Sequence, residues 1–254
     1  MMDKRKPLVI GLCLLLLISF AGCIGPEETL DPTIKRIKDA GKLLVGTHAP
    51  YAPMEYFDEN GNIIGFDIDI AEMIAAELNV ELEIKNLEFG ELIDAVKNGE
   101  VDMIIAAITI TAERAEQVLF SNAYLNAGQV IIVNESNQDI SIPDDLENKS
   151  VGVQSGTTSE AEALKYTNST LVKVYDHYLE ARADLIAGGI DAIIIDYPAG
   201  LGLIKNISGL KIVGEPFTDE LYGIAVKKGE QALKTEIDDL IASGEIKELE
   251  DKWF

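Results

Sequence analysis

Residues 92–107 read LIDAVKNGEVDMIIAA, and residues 185–196 read LIAGGIDAIIID. Each stretch is a helix end, a glycine stop, a Val-Asp or Ile-Asp pair, and an apolar run fit for a buried strand. Aligning Asp102 with Asp191 sets Ala107 opposite Asp196, both at the carboxyl end of the strand. A second echo pairs LLVGTH (43–48) with KSVGVQ (149–154) and sets His48 against Gln154. Gly-x-x-Asp before a strand is common α/β grammar, so either echo alone carries little. Both in the same order predict two similar α/β lobes.

Ligands of open α/β sheets sit outside the carboxyl ends of the strands. His48, Ala107, Gln154 and Asp196 are therefore expected to face one cleft between the lobes. Arg114 follows the Ala107 strand end within the run AAITITAERAEQVLFS (106–121) and can reach the same cleft. Nearer the start, Leu43–Thr47 reads as a strand. Asn60-Gly61 between apolar flanks signals a hairpin turn. Phe66–Leu78 has helical spacing at Ile70, Ile74 and Leu78, with Asp67 and Asp69 at its start, where the helix dipole favours acids.

The termini and composition bound the setting. Lys4, Arg5 and Lys6 precede an apolar run from Leu8 to Phe20 that suits the core of a signal peptide. It ends in Phe20-Ala21-Gly22-Cys23, the pattern of a lipoprotein signal in which Cys23 is lipidated after removal of residues 1–22. Cys13 lies inside that signal, so the mature chain keeps one cysteine and forms no internal disulfide. With His48 and His177 the only histidines, a Cys- or His-rich metal site is not expected. The formal charge of −23 becomes −25 once the signal takes away three bases and one acid. Such a body repels nucleic acid and anionic headgroups, which leaves the N-terminus as the membrane tie.

Several residues carry chemistry, each with a plainer reading beside it. Arg114 offers a planar fork of donors suited to a carboxylate; otherwise it pairs on a helix surface with Glu113 or Glu116. Asp196 ends a strand buried on both faces and either caps the next helix or holds a cation. Arginine and aspartate in one cleft point to a zwitterion. Gln154-Ser155-Gly156-Thr157-Thr158 looks like a helix start whose backbone N–H groups bind an anion, with capping by Thr157, Thr158 or Ser159 as the plainer role. Tyr51 and Phe89 are either cleft aromatics or loop packing. No nucleophile–base–acid order stands out, and Asp144-Asp145 reads as a helix start.

In the order GTHAPYAPMEYFDENGNIIGFDIDIAEMIAAEL (46–78), AAITITAERAEQVLFS, VGVQSGTTSE (151–160), GGIDAIIIDYP (188–198) and GEIKELEDKWF (244–254), the chain resembles the polar amino-acid-binding proteins of ABC importers, solute-binding protein family 3. The resemblance covers about Leu43 to Phe254. It implies the α/β, two-lobed clamshell of type II periplasmic binding proteins, two Rossmann-like lobes joined by two hinge strands. The expected division is a signal over 1–22, a tether and start of the first lobe over 23–40, lobe 1 over 41–127 and 218–254, and lobe 2 over 128–217. The crossings are expected near Asn126–Gln129 and Pro216–Leu221.

Carried over by position, Arg114 holds the ligand α-carboxylate, helped by Thr158 at the helix start, with Thr157 beside it in the ligand-binding set. Asp196, the Ala107 carbonyl and the Thr109 hydroxyl hold the α-ammonium. Tyr51 and Phe89 sandwich the side chain, and His48 and Gln154 read its far end. Many relatives have an aspartate where this chain has His48, which shifts the expected ligand from a basic amino acid to a neutral polar or acidic one, glutamine first. The implied protein is a lipid-anchored, monomeric receptor that needs no cofactor and delivers its ligand to ABC permease subunits. The alternative is a secreted cyclohexadienyl or arogenate dehydratase on the same architecture, for which no acid aimed at a leaving hydroxyl is apparent.

Overall fold

In a computed structural model that describes residues 31–254, the two echoes become two sheets. The signal segment, Cys23 and the tether up to residue 30 lie outside the described residues. The Lys42–Thr47 strand lies between Glu81–Asn86 and Met103–Ile104 and runs parallel to both. Ala225–Val226 joins Met103–Ile104 antiparallel, and Leu119–Phe120 closes that edge. In the second sheet, Val151–Gln154 lies between Val172–Tyr175 and Ala192–Asp196, again parallel to both. Gln129–Asn134 joins Ala192–Asp196 antiparallel, and Leu210–Val213 closes the edge. The two strand orders correspond position by position, with the same antiparallel fourth strand.

The correspondence extends to single hydrogen bonds. Asp102 Oδ2 accepts the Leu44 backbone N–H at 2.8 Å, and Asp191 Oδ2 accepts that of Ser150 at 2.7 Å. Leu44 and Ser150 are partners in the second echo, as Asp102 and Asp191 are in the first. In each lobe a carboxylate ahead of the third strand pins the start of the first.

Both sheets are covered on both faces, which is why their inner strands read as near-continuous apolar runs. Along the first, Met103 and Ile105 pack into one core with Phe66, Ile70 and Ile74, while Ile104 and Ala106 pack into the opposite core with Leu92 and Val96. Along the second, Ile193 and Ile195 meet Ala181 and Leu185, while Ala192 and Ile194 meet Leu146 and Ala163. The expected helix spans Phe66–Leu78, and Asn60-Gly61 lies in the turn joining the antiparallel pair Tyr56–Phe57 and Ile63–Ile64. The helix Pro32–Ala40 starts on an Asp31 cap, ends on left-handed Gly41, and buries Ile34 and Ile37 in the first core. No helix of the described residues is long and apolar enough to cross a membrane.

The chain passes between the sheets twice, through Leu125–Asn126 and back through Leu221–Tyr222, and these two short strands pair antiparallel. Bonds from Gln129 N–H to Thr218 Oγ1 and from Ala127 N–H to the Glu220 carbonyl tie the crossings side by side.

Candidate functional site

All ten residues singled out from the sequence line one cavity. His48, Tyr51, Phe89, Ala107, Thr109 and Arg114 contribute from the first sheet and its loops; Gln154, Thr157, Thr158 and Asp196 contribute from the second. His48 follows the Lys42–Thr47 strand directly, and Gln154 and Asp196 end theirs, as strand-end chemistry requires.

Arg114 sits in the short helix Ala112–Ala115, whose Thr111 cap accepts the Arg114 N–H at 3.2 Å. Its guanidinium does not pair with Glu113 or Glu116. Nη1 donates to the Thr109 carbonyl at 2.8 Å and Nη2 to the Gly156 carbonyl, across the cleft, at 3.0 Å. The cation also lies 5.4 Å from the centre of the Phe89 ring. Burial lowers its pKa against the opposing pull of Glu220, Asp196 and Glu113. Two of five N–H donors are used in these bonds, which leaves others for a carboxylate.

Asp196 precedes the helix Tyr197–Ile204 but makes no side-chain cap. Its Oδ2 instead accepts the hydroxyls of Tyr222 at 2.5 Å and Tyr51 at 3.2 Å. Its Oδ1 is buried with no partner among the described residues. Burial raises its pKa to about 7; the Tyr222 hydroxyl opposes that rise and the charge of Glu220 adds to it. The helix Thr158–Tyr166 also lacks a side-chain cap, since the Thr157 hydroxyl donates back to the Gln154 carbonyl at 2.7 Å.

Glu220, Gln129 and Glu55, which the sequence did not mark as site residues, and Asp67, read there as a helix-start acid, complete the polar framework. Glu220, 5% exposed on the return crossing, accepts the hydroxyls of Thr109 at 2.7 Å and Thr158 at 2.9 Å on Oε2. Gln129 Nε2 donates to Thr158 Oγ1 and Ser159 Oγ, both at 3.0 Å. Glu55 lines the cavity beside Asp67. Asp67 is no exposed dipole acid. It is fully buried, accepts the Ala107 N–H at 2.7 Å and the Tyr124 hydroxyl at 3.0 Å, and burial raises its pKa to about 7. Burial and the adjacent Asp67 push the Glu55 carboxyl up as well. Ala107 is held by that bond at φ +47°, a left-handed conformation unusual for a residue with a Cβ.

His48 and His177, far apart in sequence, stack with ring centres 5.1 Å apart. Together with Glu88 they bring three potential metal-ligand atoms within 4.8 Å of one another. However, His48 Nδ1 is bonded to the Leu87 carbonyl and Nε2 to Gln154 Nε2, both at 2.8 Å. Neither ring nitrogen of His48 is free for an ion while those bonds stand. Burial lowers the His48 pKa and favours the neutral ring; the Leu87 carbonyl pulls the other way.

Residues 43–254 match the bacterial extracellular solute-binding proteins, family 3. The chain is 32% identical to the L-cystine-binding protein TcyJ of Escherichia coli (strain K12), over 87% of this chain and 85% of that one. It is 31% identical to the ABC transporter glutamine-binding protein GlnH of Bacillus subtilis (strain 168), over 97% and 95%. Among solved structures, an ancestral arginine-binding protein bound to glutamine superposes with a TM-score of 0.80 at 41% identity, covering 84% of this chain and 98% of that one. These relatives are binding proteins, not enzymes, and the two-sheet architecture is the type II periplasmic-binding-protein fold. The chain belongs to the bacterial extracellular solute-binding proteins of family 3, among the amino-acid-binding proteins of ABC transporters.

Proposed function

We propose that this protein is the lipid-anchored receptor of an ABC importer, taking one free neutral polar amino acid, glutamine first, and handing it to the membrane permease. One observation carries the reading: a single cavity joins Arg114, with donors to spare, and Asp196, with a buried and unpartnered oxygen. A zwitterion satisfies both ends. Arg114 takes the α-carboxylate, with the free N–H groups in the first turn of the Thr158–Tyr166 helix. Thr158 contributes there through its backbone, because its hydroxyl proton goes to Glu220.

Asp196, the Ala107 carbonyl and the Thr109 hydroxyl take the α-ammonium, and Tyr51 and Phe89 flank the side chain. His48 in place of an acid disfavours a cationic side chain. An ancestral arginine-binding protein of this fold is solved with glutamine and also with arginine, so a glutamine ligand fits a site of this kind. The lobes divide at 127/128 and 217/218, where the paired crossings serve as the hinge, and the protein works as a monomer. Because the ligand bridges both lobes, it favours the closed arrangement that a permease recognises. Residues 1–22 are the signal, and Cys23 carries the lipid that keeps the receptor at the outer face of the membrane.

A thermal-shift screen over the free amino acids tests this. A ligand at ~100 times its Kd adds about 2.7 kcal/mol of stability, so glutamine should give one of the largest shifts. A flat response to every amino acid would reject the reading.

A further inference from the structure

Three hydrogen bonds run in series along one wall of the cavity. Leu87 O meets His48 Nδ1 at 2.8 Å, His48 Nε2 meets Gln154 Nε2 at 2.8 Å, and Gln154 Nε2 meets Asp176 O at 2.7 Å. Both ends of the series are backbone carbonyls, which can only accept. The Leu87 carbonyl therefore fixes the His48 proton on Nδ1 and leaves Nε2 as a lone pair. The Asp176 carbonyl likewise requires an amide N–H opposite it, so the atom of Gln154 placed there is nitrogen, not oxygen. Its second N–H goes to His48 Nε2. Both amide protons of Gln154 are then committed, and Oε1 accepts nothing from the described residues.

We propose that Gln154 Oε1, locked in place by His48, reads an N–H donor at the end of the ligand side chain, so that the site refuses side chains without one. This rests on the amino-acid reading of the same cavity and narrows it. The wall is largely buried, with His48 and Gln154 only 2% and 3% exposed, so an acceptor set against it meets little water once a ligand fills the cavity. An oxygen facing an oxygen there leaves both unpaired, which is costly in a desolvated site. Glutamine, with its terminal amide N–H groups, is accepted. Glutamate, which ends in acceptors alone, is refused, and so is methionine. His48 is a positioning residue here: it touches Gln154 and acts through it.

The charge of Glu88, which lies beside His48 and His177, could by itself repel a glutamate side chain. Methionine separates the two causes, because it is uncharged, similar in length to glutamine, and has no donor. Calorimetry on the full chain should show glutamine preferred over both methionine and glutamate by on the order of 100-fold or more, since a site built around one N–H discriminates strongly against ligands that lack it. Gln154→Met should lower the glutamine-to-methionine ratio at least ~10-fold, and His48→Leu, which frees the amide to turn, should lower it in the same direction. Methionine binding as tightly as glutamine in the unaltered protein overturns the proposal and leaves the amino-acid receptor intact. So does an unchanged ratio in Gln154→Met. If no amino acid binds at all, the receptor reading itself is what fails.

Discussion

The Thr109 hydroxyl donates to Glu220 Oε2 at 2.7 Å, and the Thr158 hydroxyl reaches the same oxygen at 2.9 Å. Thr109 belongs to the loop after the Met103–Ile104 strand, Thr158 opens a helix on the second sheet, and Glu220 lies on the crossing between them. One carboxylate oxygen thus joins both lobes and the hinge. A hydroxyl has one proton, so Thr109 has only lone pairs left to offer the cavity, which suits an ammonium. Glu220→Gln should weaken amino-acid binding by about 1.5–3 kcal/mol, the usual worth of a charge-assisted hydrogen bond. The check is a double-mutant cycle with Thr109→Val. Glu220→Gln costing as much in the Thr109→Val background as in the native one would refute action through Thr109.

Arg114→Ala should nearly abolish binding while leaving the fold intact. Removing one member of a buried charged pair costs about 2–5 kcal/mol of affinity, and the helix Ala112–Ala115 accepts alanine readily. The guanidinium also bridges the cleft to the Gly156 carbonyl, so closure should weaken too. Calorimetry on the folded variant settles it, and native affinity would return Arg114 to a structural role.

The repeat was legible because it is local: a glycine stop, an aspartate and a strand recur within a dozen residues, and strand ends place His48, Ala107, Gln154 and Asp196 together. Arg114 could be placed because it follows one of those ends closely. Glu220 and Glu55 could not. Glu220 is more than 60 residues from either threonine it binds, and nothing in PFTDELYG marks its carboxylate as buried. Asp67 fitted a helix-start pattern so well that its bond to Ala107, 40 residues away, left no trace in spacing. The His48–Gln154 bond joins residues the second echo aligned as equivalents, which set both at strand ends but could not show the hydrogen bond between them.

Gly202 tests closure separately from chemistry. It lies in the helix Tyr197–Ile204, and a Cβ there would stand 2.1 Å from the Ala52 carbonyl oxygen in the opposite lobe. Gly202→Ala should raise the intrinsic stability of its helix by up to about 1 kcal/mol while holding the lobes apart. The ligand-free melting temperature should hold or rise, and amino-acid affinity should fall. A variant that binds as well as the native protein would show that this contact does not limit closure.

The histidine in place of an acid makes a claim about selectivity. His48→Asp keeps an acceptor for the Gln154 amide and adds a negative charge to that wall. Arginine or lysine should gain at least ~10-fold in affinity relative to glutamine, by the worth of a new partly buried charge pair. Competition binding measures the ratio. Tight arginine binding by the unaltered protein would overturn the argument from His48.

The raised pKa of Asp196 sets how binding and stability respond to pH. Its folded value of about 7 lies above the usual carboxylate range of about 4 because burial disfavours the charge. Asp67 is raised to about 7 for the same reason. Between about pH 4 and 7 the folded state therefore holds protons that the unfolded chain has released, so ligand-free stability should fall as pH rises through that window. Ligand affinity should move the opposite way. An α-ammonium needs Asp196 charged, and a proton competes with it for the same oxygens, so affinity should rise from pH 5 to 8 by at most about tenfold per unit. Arg114 stays protonated throughout, and Tyr51 and Tyr222, pushed up by burial beside Asp196, stay neutral. Asp196→Asn should bind weakly and lose most of the slope, which isolates this carboxyl from Asp67 and His48. Affinity that is flat between pH 5 and 8 in the native protein, measured by calorimetry in buffers of matched ionic strength, would mean that Asp196 is already charged before the ammonium arrives.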